Sequence, residues 1–443
     1  MVSEHKFTPV SDIPKIVAAS RATFLTHRTQ SLEFRKEQLR ALYLLVSENS
    51  ADLTGAIRAD LNRPSDFEIP TCLRVIKSFI ENLESLVEPQ KATGLIGTDK
   101  SFVRLSPLGT VLIIGAWNFP IMLVIEPLAG AIAAGNTAIV KPSEVSVTSD
   151  TLLTRLLRKY MDPSVVAVVN GGAEETTVLL KERFDHIFYT GGVAVAKIVM
   201  QAAAKNLTPV TLELGGKCPA IVTDKTDLAK AAQKIAGWKA LNCGQVCLSV
   251  DYVLCPRHLQ DELIKNLIGT WQHMYGKDAK QSDVYPRIIT KRQLERLEKV
   301  LSVAKKENKV VYGGESDLSN RYMAPTILTD VKLEDTIMEE EIFGPLLPII
   351  DCEDIQGAVD VVNKGEHPLA LYLFSDDPVH VEKVLSETRS GGVIVNDIAT
   401  HFSNHSLPFG GVGHSGIGNY HGKYSVETFS HKRAVMVRSQ AHL

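Results

Sequence analysis

Two stretches of this chain carry residues whose types suit covalent chemistry. Asn242-Cys243-Gly244-Gln245-Val246-Cys247 sets a thiol in a polar turn that contains glycine, and Thr211-Leu212-Glu213-Leu214-Gly215-Gly216-Lys217 ends a β-branched run on a carboxylate. Only a thiolate attacks, and a free cysteine is mostly protonated at neutral pH, so a thiol nucleophile needs a neighbouring base. One carboxylate can fill that role. Cysteine is also a common core residue, so the rest of the chain has to support the reading.

Several further motifs each have a functional and a structural reading. Ala116-Trp117-Asn118-Phe119-Pro120 follows an apolar strand, and the Asn118 amide either donates to a developing oxyanion or only forms the turn. Lys141-Pro142-Ser143-Glu144 follows Thr137 to Val140; its lysine and glutamate suit ribose hydroxyls, while Ser143 suits a helix N-cap. In Tyr189-Thr190-Gly191-Gly192-Val193 a strand ends in a glycine turn before a helix, where a diphosphate would find backbone N–H groups, although such turns also occur without ligands. Glu339-Glu340-Glu341-Ile342-Phe343-Gly344-Pro345 is either a solvated acidic run or a carboxylate and a ring set two residues apart. Gly411-Val412-Gly413-His414-Ser415-Gly416 spells the dinucleotide fingerprint, but no strand directly precedes it and too little chain follows for a βαβ unit, so a structural turn is expected. Cys243 and Cys247 have no second ligand pair at zinc spacing, and no metal is expected. A hydrolase pairing Cys247 with His405 has no local support.

The elements that position these residues follow from periodicity. Pro14 to Pro89 is helical by its three-to-four apolar spacing, as in Leu39, Leu42, Tyr43 and Val46. Lys91 to Lys100 is a polar connector, and Phe102 to Leu105 a short strand. From Gly109 to Glu213, strands at 111–115, 137–140, 165–169, 186–189 and 210–212 alternate with helices at 121–134, 148–160, 174–180 and 193–205. That alternation implies right-handed crossovers onto a parallel sheet, with ligands at its carboxyl edge. A second α/β unit follows, with strands at 219–222 and 251–255 and near Val310, Thr326 and Leu346. Its helices fall at 228–241 and 258–275 and near Gln293 and Val379. Cys247 and Glu213 then lie where the two units meet.

At 443 residues, 44% apolar and 22% charged, the chain has the composition of a soluble globular protein of two or three domains. A net charge of -3 gives no reason to expect nucleic acid or an anionic membrane. Six sparse cysteines read as reduced thiols of an intracellular protein, and Met1 to Pro9 lacks a signal-peptide core. Leu108 to Gly135 is apolar, but Asn118, Pro120, Glu126 and Pro127 interrupt it, so a buried strand, turn and helix is expected there and not a membrane span.

The order of these motifs is more specific than any one of them. Trp117-Asn118-Phe119-Pro120, Lys141-Pro142-Ser143-Glu144, Tyr189-Thr190-Gly191, Glu213 to Lys217, Gly244-Gln245-Val246-Cys247, Glu341 to Pro345 and Pro408-Phe409-Gly410-Gly411 resemble, in succession, the aldehyde dehydrogenase superfamily. The short N-terminus, Leu207-Thr208-Pro209-Val210, and the ending from Tyr420-His421-Gly422-Lys423 through Thr428-Phe429-Ser430-His431 look like its class three branch of fatty and aromatic aldehyde dehydrogenases.

The resemblance implies an α/β fold with a Rossmann-like parallel-sheet cofactor domain (1–84 and 106–212), a second α/β catalytic domain (213–418) and small bridging segments for oligomerisation (85–105 and 419–443). It implies NAD(P)-dependent oxidation of medium- or long-chain aliphatic or aromatic aldehydes to acids. Cys247 is implied as the nucleophile, Asn118 with the Cys247 N–H as the oxyanion site, and Glu213 as the base that hydrolyses the thioester. Lys141 and Glu144 would hold the adenosine ribose, Gly191 and Gly192 the diphosphate, and Glu341 with Phe343 the nicotinamide ribose. Trp117 would line the cofactor side. Glu144 favours NAD by repelling a 2′-phosphate, with NADP as the alternative.

A homodimer, a cytoplasmic enzyme and no transmembrane anchor are also implied. Ala441-His442-Leu443 offers a peroxisomal address as the alternative. Cys243 departs from the pattern: a structural thiol is expected, with a Cys243 to Cys247 disulfide as the other reading. Two competing functions remain open at this point, an acylating enzyme that passes the thioester to coenzyme A and a structural protein that keeps the fold.

Overall fold

The computed structural model describes residues 6–64, 67–94 and 99–438. The tripeptide Ala441-His442-Leu443 lies outside the described residues. In chain order the first helices are α1 (Ile13–Leu25), α2 (Leu32–Glu48), α3 (Ser50–Leu61) and α4 (Glu68–Val87). Ser31 caps α2 by accepting the Phe34 N–H, and Asn62, at φ 51°, ends α3 in the left-handed region. The apolar stripe of α2, with Leu39, Leu42, Leu45 and Val46 fully buried, faces α4.

Two strands, β1 (Gln90–Ala92) and β2 (Lys100–Pro107), precede an alternating run: β3 (Thr110–Ile114), α5 (Met122–Ala134), β4 (Thr137–Lys141), α6 (Val147–Tyr160), β5 (Val166–Val168), α7 (Ala173–Leu179), β6 (His186–Thr190), α8 (Val193–Ala204) and β7 (Val210–Glu213). These match the strands and helices expected from periodicity to within a residue or two at each end. The second half brings β8 (Pro219–Val222), α9 (Leu228–Ala240), β9 (Tyr252–Cys255), β10 (Val310–Tyr312), the small hairpin β11 (Ser316–Asp317) and β12 (Tyr322–Met323), β13 (Thr326–Leu328), β14 (Leu346–Asp351), β15 (Ala370–Phe374) and β16 (Gly392–Val395). Last come β17 (Gly416–Ile417) and β18 (Ser430–Val437). Sequence patterning named neither β15, a fully buried strand with no alternation of polar and apolar residues, nor β16, a half-buried edge strand of four residues.

The strands form a six-stranded sheet in the order β17-β7-β6-β3-β4-β5 and a seven-stranded sheet in the order β10-β13-β14-β9-β8-β15-β16. Each is parallel apart from an edge strand, β17 in the first and β10 in the second. Alternate residues of the first sheet divide its cover: Val111, Ile113 and Phe188 face one core, and Leu112, Ile114 and Ile187 face another with α1 and α8. The second sheet divides likewise, with Val222, Val253 and Tyr372 on the shared core and Ile221, Leu254 and Leu371 on its own. The largest core therefore lies between the two sheets. A separate three-stranded antiparallel sheet, β1-β2-β18, pairs β18 along all eight residues of β2.

The apolar stretch around α5 is a buried strand, turn and helix. Every residue of α5 is buried, Pro127 included, and the Glu68 carboxylate accepts the Ile121 and Met122 N–H groups (2.7 and 2.9 Å) at its start. Among the described residues, no helix is long and apolar enough to cross a membrane.

His186 on β6 shares its Nε2 with the Thr211 hydroxyl (2.9 Å) and packs edge-on to Phe429. Burial lowers its pKa to about 3, below the unfolded value of about 6.5. The folded chain thus binds fewer protons than the unfolded one between those values, and the contribution is present above about pH 6.5 and lost as pH falls below it. In urea titrations, the stability difference between the natural chain and His186→Leu should shift against the natural chain by about 1.4 kcal/mol per pH unit below that point. A difference that stays constant from neutral to mildly acid pH would refute a neutral buried imidazole.

Candidate active site

Beyond α9 the chain turns through Asn242 (φ 51°), Cys243 (φ 57°) and Gly244 (φ 72°), three successive left-handed residues. Such backbone is unfavourable without a Gly, so other contacts must impose it. The Gln245 side chain supplies them: its Nε2 donates to the carbonyls of Asn242 (2.8 Å) and Arg287 (3.0 Å), and its Oε1 accepts the Ile289 N–H (2.9 Å). At Gly244 an added Cβ would lie 2.2 Å from the Gly344 carbonyl oxygen, so both conformation and space demand glycine. The turn sends its two thiols to different places. Cys243 Sγ meets the Tyr285 hydroxyl (3.5 Å) in the core of the second sheet, whereas half-buried Cys247 faces the cavity between the sheets. This arrangement fits the structural reading of Cys243.

That cavity, of 40 Å³, is walled by Phe119, Met122, Trp238, Phe402, Phe409 and Tyr420 and also touches Glu213 and Cys247. Glu213 is the last residue of β7 and 3% exposed. Its backbone is fixed from both sides, since its carbonyl accepts the Gly191 N–H (3.0 Å) and its register partner on β17 is Gly416. Both carboxylate oxygens are buried without a hydrogen-bond partner among the described residues, and burial raises the carboxyl well above the usual range. The Cys247 thiol is pushed up to about 12, first by burial and then by the Glu341 and Glu213 carboxylates. A basic carboxylate and a protonated thiol thus share one apolar cavity, where a proton has few other acceptors.

Asn118 sits in the turn between β3 and α5 and is tied directly to the cysteine turn. Its Nδ2 donates to the Gln245 carbonyl (3.2 Å), and its own backbone carbonyl accepts from Asn242 Nδ2 (2.9 Å) and from Arg63 (3.3 Å). Arg63 forms a buried ion pair with Glu68, the carboxylate that caps α5. The amide is therefore held by both halves of the molecule, 4% exposed, with one N–H committed to Gln245.

Of the residues expected on the cofactor side, Trp117, Lys141, Glu144, Gly191 and Gly192 lie at the carboxyl ends of β3, β4 and β6, and Glu341 and Phe343 lie in the loop that leads into β14. Lys141 ends β4, and its Nζ meets Glu144 Oε2 (2.8 Å) and the Pro142 carbonyl (3.1 Å). Ser143 does not cap α6; the Asp60 carboxylate does, accepting from Thr148 and Ser149 (3.0 and 2.8 Å), which leaves Lys141 and Glu144 at the end of the strand. Gly191 and Gly192 join β6 to α8, whose first turn carries no acidic residue. A Cβ at Gly192 would enter open space, and the neighbouring Thr190 Oγ1 is buried without a partner among the described residues. An unfilled hydroxyl beside a helix N-terminus suits a bound anion. The Glu341 carboxylate packs on Gly215, where a Cβ would lie 2.1 Å from it, and burial raises its pKa to about 8. Phe343, at φ 48°, sets its ring edge-on to Trp117 at 5.4 Å, so one residue from each half closes this side. Asp251 holds the loop by accepting the Ile342 N–H (2.9 Å) and pairing with Lys217. These donors and the open glycine fit a dinucleotide laid across the strand ends.

Other motifs lie elsewhere. The Gly411 to Gly416 sequence is a tight turn, closed by the Ser415 hydroxyl on Val412, that delivers Gly416 to Glu213. His405 does not line the Cys247 cavity; its ring packs against His421 (4.6 Å). Among the described residues no three His, Cys, Asp or Glu side chains are grouped to hold a metal. Arg63, Glu68 and Asp251 escaped the sequence reading because a buried charge and a solvated one look alike in a single sequence.

The model of the aldehyde dehydrogenase family matches residues 3–435 of this chain. Rat aldehyde dehydrogenase family 3 member A2 is 48% identical over 424 residues, covering 94% of this chain and 87% of the relative. The dog aldehyde dehydrogenase named dimeric and NADP-preferring is 45% identical over 435 residues, covering 97% and 95%. A substrate-bound structure of Staphylococcus aureus AldH superposes with a TM-score of 0.94 at 40% identity, covering 97% of this chain and 94% of that one.

The cysteine turn makes a prediction of its own. Gly244→Ala drives a Cβ into the Gly344 carbonyl at positive φ, so the turn must shift. Urea titration should show a loss of about 2 kcal/mol, and iodoacetamide should alkylate Cys247 at a changed rate. A variant equal to the natural chain in both measurements would show that the turn does not depend on this glycine.

Proposed function

The chain belongs to the aldehyde dehydrogenase family, and we propose that Cys247, Glu213 and Asn118 carry its NAD(P)-dependent oxidation of aliphatic and aromatic aldehydes to carboxylic acids. The observation that supports this assignment most is the single apolar cavity shared by the Cys247 thiol and an unpartnered, buried Glu213. Glu213 takes the Cys247 proton and passes it on to solvent, and the Cys247 sulfur bonds to the aldehyde carbon, moving the carbonyl π pair onto oxygen. The Asn118 Nδ2 and the Cys247 backbone N–H receive that oxyanion. As the oxyanion collapses, the carbon gives up its hydrogen with the bonding pair and becomes a thioester on Cys247. Bound NAD(P) supplies the acceptor for that hydride. Glu213 then takes a proton from water, whose oxygen attacks the thioester carbon, and Cys247 leaves as the acid is released. The aromatic wall keeps other water away until then.

On the cofactor side we assign the adenosine ribose to Lys141 and Glu144, the diphosphate to Gly191 and Gly192 at the α8 N-terminus, and the nicotinamide ribose to Glu341 with Phe343. Trp117 lines the same side. The 2.8 Å ion pair with Lys141 tempers the repulsion of Glu144 for a 2′-phosphate, which supports use of both NAD and NADP with NAD preferred. We read the six-stranded sheet as the cofactor domain, the seven-stranded sheet as the catalytic domain and the β1-β2-β18 sheet as the bridging element. Strand β18 keeps one edge of that sheet unpaired among the described residues, which supports a homodimer, as in the dog relative named dimeric. Six free thiols support a reducing compartment, with the cytoplasm as the assignment and the peroxisome as the alternative.

Turnover is read as formation of reduced nicotinamide with aldehydes from acetaldehyde to hexadecanal and with benzaldehyde. Cys247→Ala should lose activity by a factor on the order of 10³ or more. Glu213→Gln should give a burst of about one reduced nicotinamide per site followed by steady turnover lowered about 10²-fold. Because burial raises Glu213, turnover of the natural enzyme should fall as pH drops through that raised value, and Glu213→Gln should lose this acid limb. Full activity in Cys247→Ala, or an unchanged acid limb in Glu213→Gln, would remove the assignment. Glu144→Ala should raise kcat/KM with NADP relative to NAD, and an unaltered ratio would remove Glu144 from cofactor choice.

A further inference from the structure

Two segments, residues 400–406 and 420–423, each part helix and part loop, separate the Cys247 cavity from a second and larger one. On the inner side Phe402 and Tyr420 close the catalytic cavity. On the outer side His405 and Lys423 wall a groove of 490 Å³ that shares no lining residue with it. A volume of that size is typical of small-molecule sites.

The floor of the groove is one face of α4. Val75, Phe79 and Leu86 line it four and seven residues apart, which places them on a single helix face. The groove's charge is of one sign: Arg74 and Lys423 line it, with Ser and Asn as the other polar side chains and no carboxylate. His405 adds a second kind of observation. Both of its ring nitrogens are buried without a hydrogen-bond partner among the described residues, and so are those of His421 behind it. Burial holds both imidazoles neutral, so each keeps one N–H to donate. The buried Glu126 carboxylate lies 3.5 Å from His421; it is not a lining residue of the groove, but it is close enough to act electrostatically on His405 and Arg74. An apolar floor and two cations are complementary to a chain with an anionic head.

We propose that this groove is a second ligand site, for an amphipathic carboxylate whose chain lies along Val75, Phe79 and Leu86 and whose head is held by Arg74 and Lys423. Such a carboxylate belongs to the product class of the proposed reaction, and only that identity rests on the proposed function; the groove and its charges do not. Product bound here leaves Cys247 and Glu213 open to the next aldehyde.

The test uses the full chain loaded with NAD and sub-micellar dodecanoate, with binding followed by titration calorimetry and, separately, propanal turnover. Dodecanoate should bind without raising the KM for propanal. The double variant Arg74→Gln/Lys423→Gln should bind it about tenfold or more weakly with propanal kcat and KM retained, and dodecan-1-ol should bind no better to either form. Ser78→Trp, which fills the groove from an exposed helix position and keeps both cations, should also abolish binding, and it decides the matter if the double variant fails to fold. Undiminished binding in these variants, inhibition competitive with propanal, equal binding of dodecan-1-ol, or no binding at all would each overturn the second site. Calorimetric binding needs no turnover, so failure of the catalytic assignment would be seen separately.

Discussion

The cavity that Cys247 faces depends on the three left-handed residues Asn242, Cys243 and Gly244. Backbone of this kind costs on the order of 1–3 kcal/mol at each residue that is not glycine, and here two of the three are not. The Gln245 amide offsets the strain with three hydrogen bonds, two of them to the distant segment around Arg287 and Ile289. Because the turn reverses so sharply, Cys243 and Cys247 point to opposite faces of the second sheet. One thiol becomes part of a core, and the other opens into the space between the sheets.

That space is apolar, and burial in it explains the ionisation pattern. A carboxylate without hydrogen bonds in an apolar wall favours its protonated form, so Glu213 is a stronger base than an exposed glutamate. The same burial holds the proton on Cys247, and the nearby Glu341 carboxylate adds to it. Thiol and base are therefore matched in difficulty: each is hard to ionise alone, and a proton passing from one to the other avoids separating charge into an apolar wall. The opposite solution operates a few residues away, where Arg63 and Glu68 are buried as a hydrogen-bonded ion pair. That pair has a positional role, since Glu68 fixes the start of α5 and Arg63 holds the Asn118 carbonyl.

The two halves reach into each other at several points. Asn118 from the first sheet bonds to the cysteine turn of the second, Phe343 from the second closes on Trp117 of the first, and Gly416 crosses back to pair with Glu213. Glu341 occupies space that only a glycine at 215 leaves free. A displacement of one half against the other would therefore disturb Cys247, Glu213 and Asn118 together.

Much of this was legible in the chain itself. Short-range periodicity determined β3 to β9 and their helices, because amphipathic spacing and glycine turns are local properties, and the succession of motifs marked Cys247, Glu213 and Asn118 as candidates. The burial of α5 was also legible, since polar residues and prolines break what would otherwise be a membrane-length run. What only the tertiary structure decided are relations between distant segments. Strand β15 is buried on both faces and carries no alternation, and β16 is a four-residue edge strand, so their place in the sheet comes from pairing. Whether Lys141 and Glu144 were strand-end residues or part of a helix start was decided by Asp60, more than eighty residues earlier. Cys243 was expected as a structural thiol, with a bridge to Cys247 as the other reading, and only the left-handed turn shows the two thiols facing different regions. The buried roles of Arg63, Glu68 and Asp251 needed the fold as well, because burial is a property of what surrounds a side chain and a single sequence does not state its surroundings.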